Sequence, residues 1–125
     1  MSTRSLCLLL SILLVTLVSA CGGGGLPNAL TECPDGSTVT WAQAGPIFEA
    51  QCTSCHSVDK TGAQRSGAKE AVDYDDADLA FNSAGTTAEG SWYRIYDGTM
   101  PPGDDTVPEA DALIIHEWFS CGGPQ

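Results

Sequence analysis

The sequence Cys52-Thr-Ser-Cys55-His56 constrains this chain more than any other feature. Two residues between the cysteines let both sulfur atoms reach the two vinyl groups on one edge of a porphyrin, and the next residue then places an imidazole under the iron. The C-x-x-C-H spacing is typical of covalent haem attachment. Because the chain has only 125 residues, its own core is modest, and a large apolar cofactor would matter to its stability.

Two other uses of a C-x-x-C pair fit the rest of the sequence less well. Structural zinc usually takes four protein ligands, and the chain has no second C-x-x-C and no paired histidines. A redox dithiol of the thioredoxin type needs a strand-rich βαβ setting, whereas the sequence shows little of the alternation that predicts strands. The motif therefore favours one covalently attached haem c whose iron is bound by His56.

The spacing of apolar and capping residues predicts a mostly helical domain. Thr40 can cap a first helix that runs towards Cys52, although Pro46 would suit a start nearer Gly45. Three further helices are predicted: residues 77–81 capped by Asp75, a helix from Ser91 that Gly98 ends, and a last helix from the capping box Thr106–Glu109 to about Ser120, with Leu113, Ile114 and Trp118 on one apolar face.

Met100 is the candidate for a second iron ligand. It lies in Thr99-Met-Pro-Pro-Gly, a segment that adjacent prolines exclude from regular structure, so the loop can hold a sulfur atom in place. It is the one methionine that remains after Met1 is removed. His116 is the alternative ligand, but its position opposite the apolar face of the last helix predicts a surface histidine.

These features together resemble the class I cytochrome c family, in its small bacterial form, over about residues 40–121. The resemblance rests on Phe48 four residues before the first haem cysteine, the C-x-x-C-H motif, Met100 before two prolines, and Trp118 in the last helix. It implies an all-α, cytochrome c-like fold in which a small helical domain wraps around one covalently attached haem. It also implies that the Met100 sulfur is the sixth iron ligand.

The function that the resemblance implies is one-electron transfer, and not an enzyme activity, because a six-coordinate iron has no open position for substrate. Methionine opposite histidine raises the reduction potential relative to two histidines. Two alternatives stay open: a haem-based sensor or peroxidase-like protein if Met100 does not bind the iron, or a dedicated electron-transfer subunit of a periplasmic redox enzyme. A haem propionate could pair with Arg65, Lys69 or Arg94.

The first 20 residues are typical of an export signal. Arg4 precedes an apolar run of 13 residues, from Leu6 to Val18, which is shorter than the roughly 20 residues of a membrane-spanning helix. The string Val18-Ser19-Ala20-Cys21 resembles the lipobox of bacterial lipoproteins and implies that Cys21 carries lipid. The alternative is an ordinary signal peptide that ends near a cysteine. Lipidation would anchor the chain facing the periplasm, and Gly22 weakly favours the outer membrane.

The lipobox divides the chain into residues 1–20 as signal peptide, 21–32 as a lipid-anchored flexible tether, and 33–125 as the cytochrome c domain. The six cysteines are then assigned as follows: Cys7 to the signal peptide, Cys21 to lipid, Cys52 and Cys55 to haem, which leaves Cys33 and Cys121. Because an exported protein meets an oxidising compartment, the remaining pair favours a disulfide.

The charge of the chain bears on its partners. It has 5 basic and 16 acidic residues, a net charge of −11, which repels nucleic acid and anionic headgroups. A redox protein with a basic docking surface would be attracted, although acidity also keeps an exported protein soluble. We expect a monomer whose contact with the membrane is its lipid anchor.

We predict that replacing Cys21 with Ser releases the protein into the soluble fraction, because the variant has no thiol to carry lipid. Immunoblots of membrane and soluble fractions would compare the parent with Cys21→Ser. Cys7→Ser, which changes a cysteine of the signal segment, should remain with the membrane. A parent protein whose mass shows no acyl chains would contradict lipidation.

Overall fold

A computed structural model describes residues 25–125 of the chain. This part contains four α-helices, a short 3₁₀ helix and no strand, which confirms the all-α prediction. In chain order the elements are α1 (Trp41–Gln51), the 3₁₀ helix (Gly62–Arg65), α2 (Ala77–Phe81), α3 (Ala88–Tyr96) and α4 (Glu109–Ser120). None of the helices within the described range is long and apolar enough to cross a membrane. The predicted signal peptide and Cys21 lie outside that range.

Helix α1 begins at Trp41, and not near Gly45 as Pro46 suggested. The Thr40 backbone N–H donates to the Gln43 side chain at 2.9 Å, and the Thr40 side chain accepts a hydrogen bond in return. This capping box stabilises the first turn. Pro46 lies inside the helix, where it costs one backbone hydrogen bond. The cap and the burial of residues 44, 45, 47 and 48 outweigh that loss.

The predicted start of α3 is wrong because the residue chosen as its cap has another partner. Thr87, and not Ser91, caps α3, and its hydroxyl accepts from Gly90 N–H at 3.0 Å. Ser91 is buried, and its hydroxyl is hydrogen-bonded to the Tyr74 hydroxyl at 2.8 Å.

Helix α2 begins at Ala77 and ends at Phe81 as predicted, but the residue predicted to cap it is wrong, as is the cap predicted for α4. Asp76, and not Asp75, caps α2, whereas Asp75 accepts from the Val58 backbone N–H at 2.9 Å. Helix α4 begins after Pro108 without a side-chain cap, so the capping box predicted at Thr106–Glu109 is wrong. Pro108 is itself the N-cap residue, and a proline side chain has no acceptor for the first helical N–H groups.

Helix α4 packs against both α1 and α3. Its buried residues are Ala112, Ile115, His116, Trp118 and Phe119. A helix with neighbours on two sides buries a wide arc, and therefore Leu113, predicted on the apolar face, is 42% exposed. His116, predicted at the surface, is only 7% exposed, and its ring packs against Trp92 at 4.8 Å between centroids.

The segment of residues 26–31 lies against α3 and α4. The Trp92 indole N–H donates to the Pro27 carbonyl at 2.9 Å, and His116 Nε2 lies 3.0 Å from the Ala29 carbonyl. Leu26 and Leu30 pack against the core. Part of the range 21–32, predicted as a flexible tether, therefore contacts the helical domain in this structure.

The structure joins Cys33 and Cys121 in a disulfide across 88 positions of sequence. The Pro124 carbonyl adds two hydrogen bonds, accepting from the Trp41 backbone N–H at 2.9 Å and from the Trp118 indole N–H at 2.8 Å. Both ends of the helical domain are thus fixed against α1 and α4.

We predict that replacing Cys33 and Cys121 together with Ser lowers the free energy of unfolding by about 2–4 kcal/mol, because the bond no longer restricts the unfolded chain. Denaturant unfolding of the parent and the variant would measure the loss. The parent treated with a thiol reductant is the matched control and should unfold like the variant. Equal stability of all three samples, or a free thiol at Cys33 or Cys121 in the unreduced denatured parent, would contradict the disulfide.

Candidate functional site

A cavity of about 750 Å³ lies beside the end of α1. It is lined by all four residues that the sequence predicts for haem binding, namely Cys52, Cys55, His56 and Met100. Other parts of its wall are the apolar side chains of Phe48, Val72, Ile95 and Val107. Cofactor pockets usually measure about 300–1,000 Å³ and are mainly apolar, so this cavity has the size and lining of a cofactor site.

The chain turns tightly after α1, and this turn brings the cysteines and the histidine to one place. Cys52 ends the helix, with its N–H donating to the Phe48 carbonyl at 2.8 Å. The Cys52 carbonyl then accepts from Cys55 N–H at 3.1 Å and from His56 N–H at 2.9 Å. Hydrogen bonds within this turn therefore bring two sulfur atoms and an imidazole close together at the cavity wall.

The Cys52 thiol lacks the lowered pKa that is typical of a reactive redox cysteine. Cys52 and Cys55 are not joined in a disulfide, and both are half-buried. Burial raises the pKa of the Cys52 thiol to about 12, whereas reactive redox cysteines have lowered pKa values.

His56 is oriented by a backbone carbonyl. Its Nδ1 lies 2.9 Å from the Val72 carbonyl oxygen, which can only accept, so Nδ1 carries the proton and Nε2 keeps its lone pair. Histidines that bind metals usually donate their other N–H to such an acceptor. The edge of the ring also contacts Tyr74, at 5.4 Å between centroids. His56 is therefore prepared to bind a metal through Nε2.

Arg65 organises the loop between residues 57 and 73. It is 3% exposed and forms an ion pair with Asp73 at 2.8 Å. Its Nη1 donates to the Ser57 carbonyl at 2.8 Å, and its Nη2 donates to the Val72 carbonyl at 3.0 Å. Its Nε, also buried, has no hydrogen-bond partner among the described residues. Arg65 also lines the cavity, so it brings a positive charge to the cavity wall.

The three basic residues that the sequence offers for a propionate all line the cavity but differ in their surroundings. Lys69 is exposed, and its ammonium donates to the Gly85 carbonyl at 2.8 Å. Arg94 is exposed on α3. Arg65 alone of the three is buried, which favours it as the partner of a buried anion.

Met100 reaches the cavity from the loop that follows α3. Its backbone N–H donates to the Arg94 carbonyl at 2.9 Å. Thr99 donates to the Asp97 carboxylate from its hydroxyl at 2.6 Å and from its backbone N–H at 3.0 Å. These hydrogen bonds lower the pKa of Asp97 and connect its carboxylate to the start of the loop.

His116 does not line the cavity. Its Nε2 is occupied by the Ala29 carbonyl, and its ring packs on Trp92. The alternative in which His116 binds the iron therefore has no support from its position. Among residues 25–125 no group of three or more His, Cys, Asp or Glu side chains could hold a metal ion. A haem iron takes only one or two protein ligands, because the porphyrin supplies the others.

The sequence analysis missed Val72, Asp73 and Tyr74 as parts of the site. Val72 acts through its backbone carbonyl, which has no sequence signature. The pairing of Arg65 with Asp73 has only a weak signal in the sequence. Arginine is rare in this acidic chain, and a buried arginine needs a counter-charge.

No protein-family model, no curated protein and no solved structure matches this chain. The resemblance to class I cytochromes c thus stays a prediction made from residues 52–56, Met100 and the flanking aromatic residues. The geometry of the cavity is an independent observation on the same residues.

Proposed function

We propose that this chain is a monohaem c-type cytochrome that carries single electrons while tethered by lipid to a membrane, facing the periplasm. The observation that carries the proposal is the convergence of Cys52, Cys55, His56 and Met100 on one cavity, although Met100 is 44 positions after His56. The thiols would hold the porphyrin covalently, and His56 and Met100 would be the axial ligands. Haem iron, when bound, supplies a one-electron couple.

The chemistry of the cavity wall supports haem over a smaller or more polar ligand. A haem combines a large apolar ring with two carboxylates. The wall offers apolar side chains, such as Val72 and Val107, together with the cationic side chains of Arg65, Lys69 and Arg94. The apolar side chains would contact the ring, and a cationic side chain would pair with a propionate.

The residues around the site favour a carrier because they hold the ligands still. His56 Nδ1–H is fixed by the Val72 carbonyl, and Tyr74 lies between the His56 ring and the Phe48 ring, stacked on the latter at 5.1 Å. Surroundings that hold the iron ligands in place would limit the rearrangement that accompanies a change of charge. Electron transfer needs no bound substrate, and no residue of the site requires an enzymatic role to explain it.

The link between Met100 and α3 favours the carrier over a sensor or a peroxidase-like protein. A displaceable ligand would serve those functions, whereas the Met100 backbone is hydrogen-bonded to the Arg94 carbonyl and is followed by two prolines. The acidic surface, with a net charge of −11, would steer a basic redox partner.

Covalent haem is the first test of the proposal. We expect one haem per chain that stays with the protein during denaturing acid–organic extraction, when the chain is exported by a bacterium that matures c-type cytochromes. Cys52→Ser/Cys55→Ser should release the haem. Cys33→Ser/Cys121→Ser removes two other cysteines and should retain it. A parent protein that loses its haem on extraction, or carries none, would refute the proposal.

Replacement of Met100 by Ala should open the sixth position of the iron. Axial ligands set haem potentials over a range of about 0.8 V, so the reduction potential should fall by on the order of 0.1 V or more. The variant should also bind carbon monoxide readily and lose the absorption band of iron–sulfur ligation near the red edge of the visible spectrum. His116→Gln should leave the potential and that band unchanged. If Met100→Ala matches the parent, another side chain holds the iron.

A further inference from the structure

The Val72 carbonyl is shared by two donors. It accepts from His56 Nδ1 at 2.9 Å and from Arg65 Nη2 at 3.0 Å. A carbonyl oxygen has two lone pairs, so both hydrogen bonds can form at once. One backbone atom therefore connects the proposed iron ligand to a buried guanidinium.

The guanidinium is held firmly and keeps its charge in the interior. Arg65 Nη2 also donates to the Lys69 carbonyl at 3.0 Å, and the Asp73 carboxylate lies 2.8 Å from the same nitrogen. The side chains of Arg65 and Asp73 are 4% and 11% exposed. Hydrogen bonds from a charged donor are stronger than neutral ones, and salt screens buried charges little.

A carbonyl that already accepts from a charged donor is a weaker acceptor for a second N–H. An imidazole whose N–H is strongly hydrogen-bonded is more basic and donates more electron density to a metal. A weaker hydrogen bond at Nδ1 therefore gives a less basic ligand, which favours the reduced iron. The nearby positive charge acts in the same direction.

We infer that Arg65 is a positioning residue for the iron ligand: through the shared Val72 carbonyl it fixes the His56 ring and raises the reduction potential. Asp73 opposes this effect, because its carboxylate neutralises the guanidinium and competes for the same Nη2. The inference rests on the proposed function, since it concerns the haem that His56 would bind.

Lys69 provides a matched control for Arg65. Both are cationic and both line the cavity, but the Lys69 side chain is exposed and its ammonium donates to the Gly85 carbonyl. Lys69 meets Val72 only through its backbone, where its carbonyl accepts from the Val72 N–H. Arg65→Met and Lys69→Met each remove one positive charge from the wall. Only Arg65→Met removes a donor from the carbonyl that orients His56.

The experiment measures the midpoint potential and the proton resonance of His56 Nδ1–H in the reduced protein. For Arg65→Met we expect a fall in potential of about 59 mV, a tenfold change in the electron-transfer equilibrium, and a downfield shift of the Nδ1 proton. Lys69→Met should leave the chemical shift of the Nδ1 proton unchanged and should change the potential much less than Arg65→Met does. Arg65→Lys, which keeps one charged donor, should fall between the parent and Arg65→Met.

Asp73→Asn decides the question if Arg65→Met does not fold. With its counter-charge removed, Arg65 donates more fully to the Val72 carbonyl, so the potential should rise and the Nδ1 proton should move upfield. Asp75→Asn removes an exposed carboxylate two positions away that binds the Val58 N–H, and it should leave the Nδ1 proton unchanged.

Haem content of the parent is measured first, so that two failures are distinguishable. A parent without covalent haem overturns the proposed function. If the parent does carry haem, this inference alone is overturned when the chemical shift of the Nδ1 proton is the same in Arg65→Met as in the parent. If Arg65→Met does not fold, the same comparison is made with Asp73→Asn. The inference fails equally if Lys69→Met changes the potential as much as Arg65→Met does.

Discussion

The packing of Phe48 is the contact on which the rest of the structure depends. Phe48 is 1% exposed, and its ring stacks on Tyr74 and meets Trp118 and Phe119 of α4 edge-on at 5.6 and 5.7 Å between centroids. The same residue lines the cavity, and its carbonyl accepts from Cys52 N–H where α1 ends. One side chain thus joins the helix core to the site, and movement of α1 relative to α4 would move the cysteine turn.

The helices could be predicted from sequence better than their ends or their buried faces. All four lie close to where the apolar spacing puts them, because burial of an apolar face decides whether a helix forms. The ends depend on which of several neighbouring polar residues is free to cap. Ser91 and Asp75 are good caps by type, yet Tyr74 and the Val58 backbone engage them. These tertiary partners have no local sequence signature.

The residues of the candidate site also differ in how far the sequence could indicate their positions. The cysteines and His56 could be predicted because one turn, with hydrogen bonds between neighbours, brings them together. The position of His116 could not, because residues 27–30 fold back over it and bury an arc that a single helix would leave to solvent. The role of the Val72 carbonyl was equally hidden. Every residue has a backbone carbonyl, and only the fold shows which donors lie near a particular one.

The docked segment of residues 26–31 limits how far the domain can travel. If the proposed lipid is on Cys21, only residues 21–25 remain between the anchor and the first docked residue, and five residues span at most about 18 Å. A free tether over all of residues 21–32 could reach about 40 Å. A carrier anchored in this way would sample a thin layer above the bilayer, and its partners would have to present their redox centres within that layer.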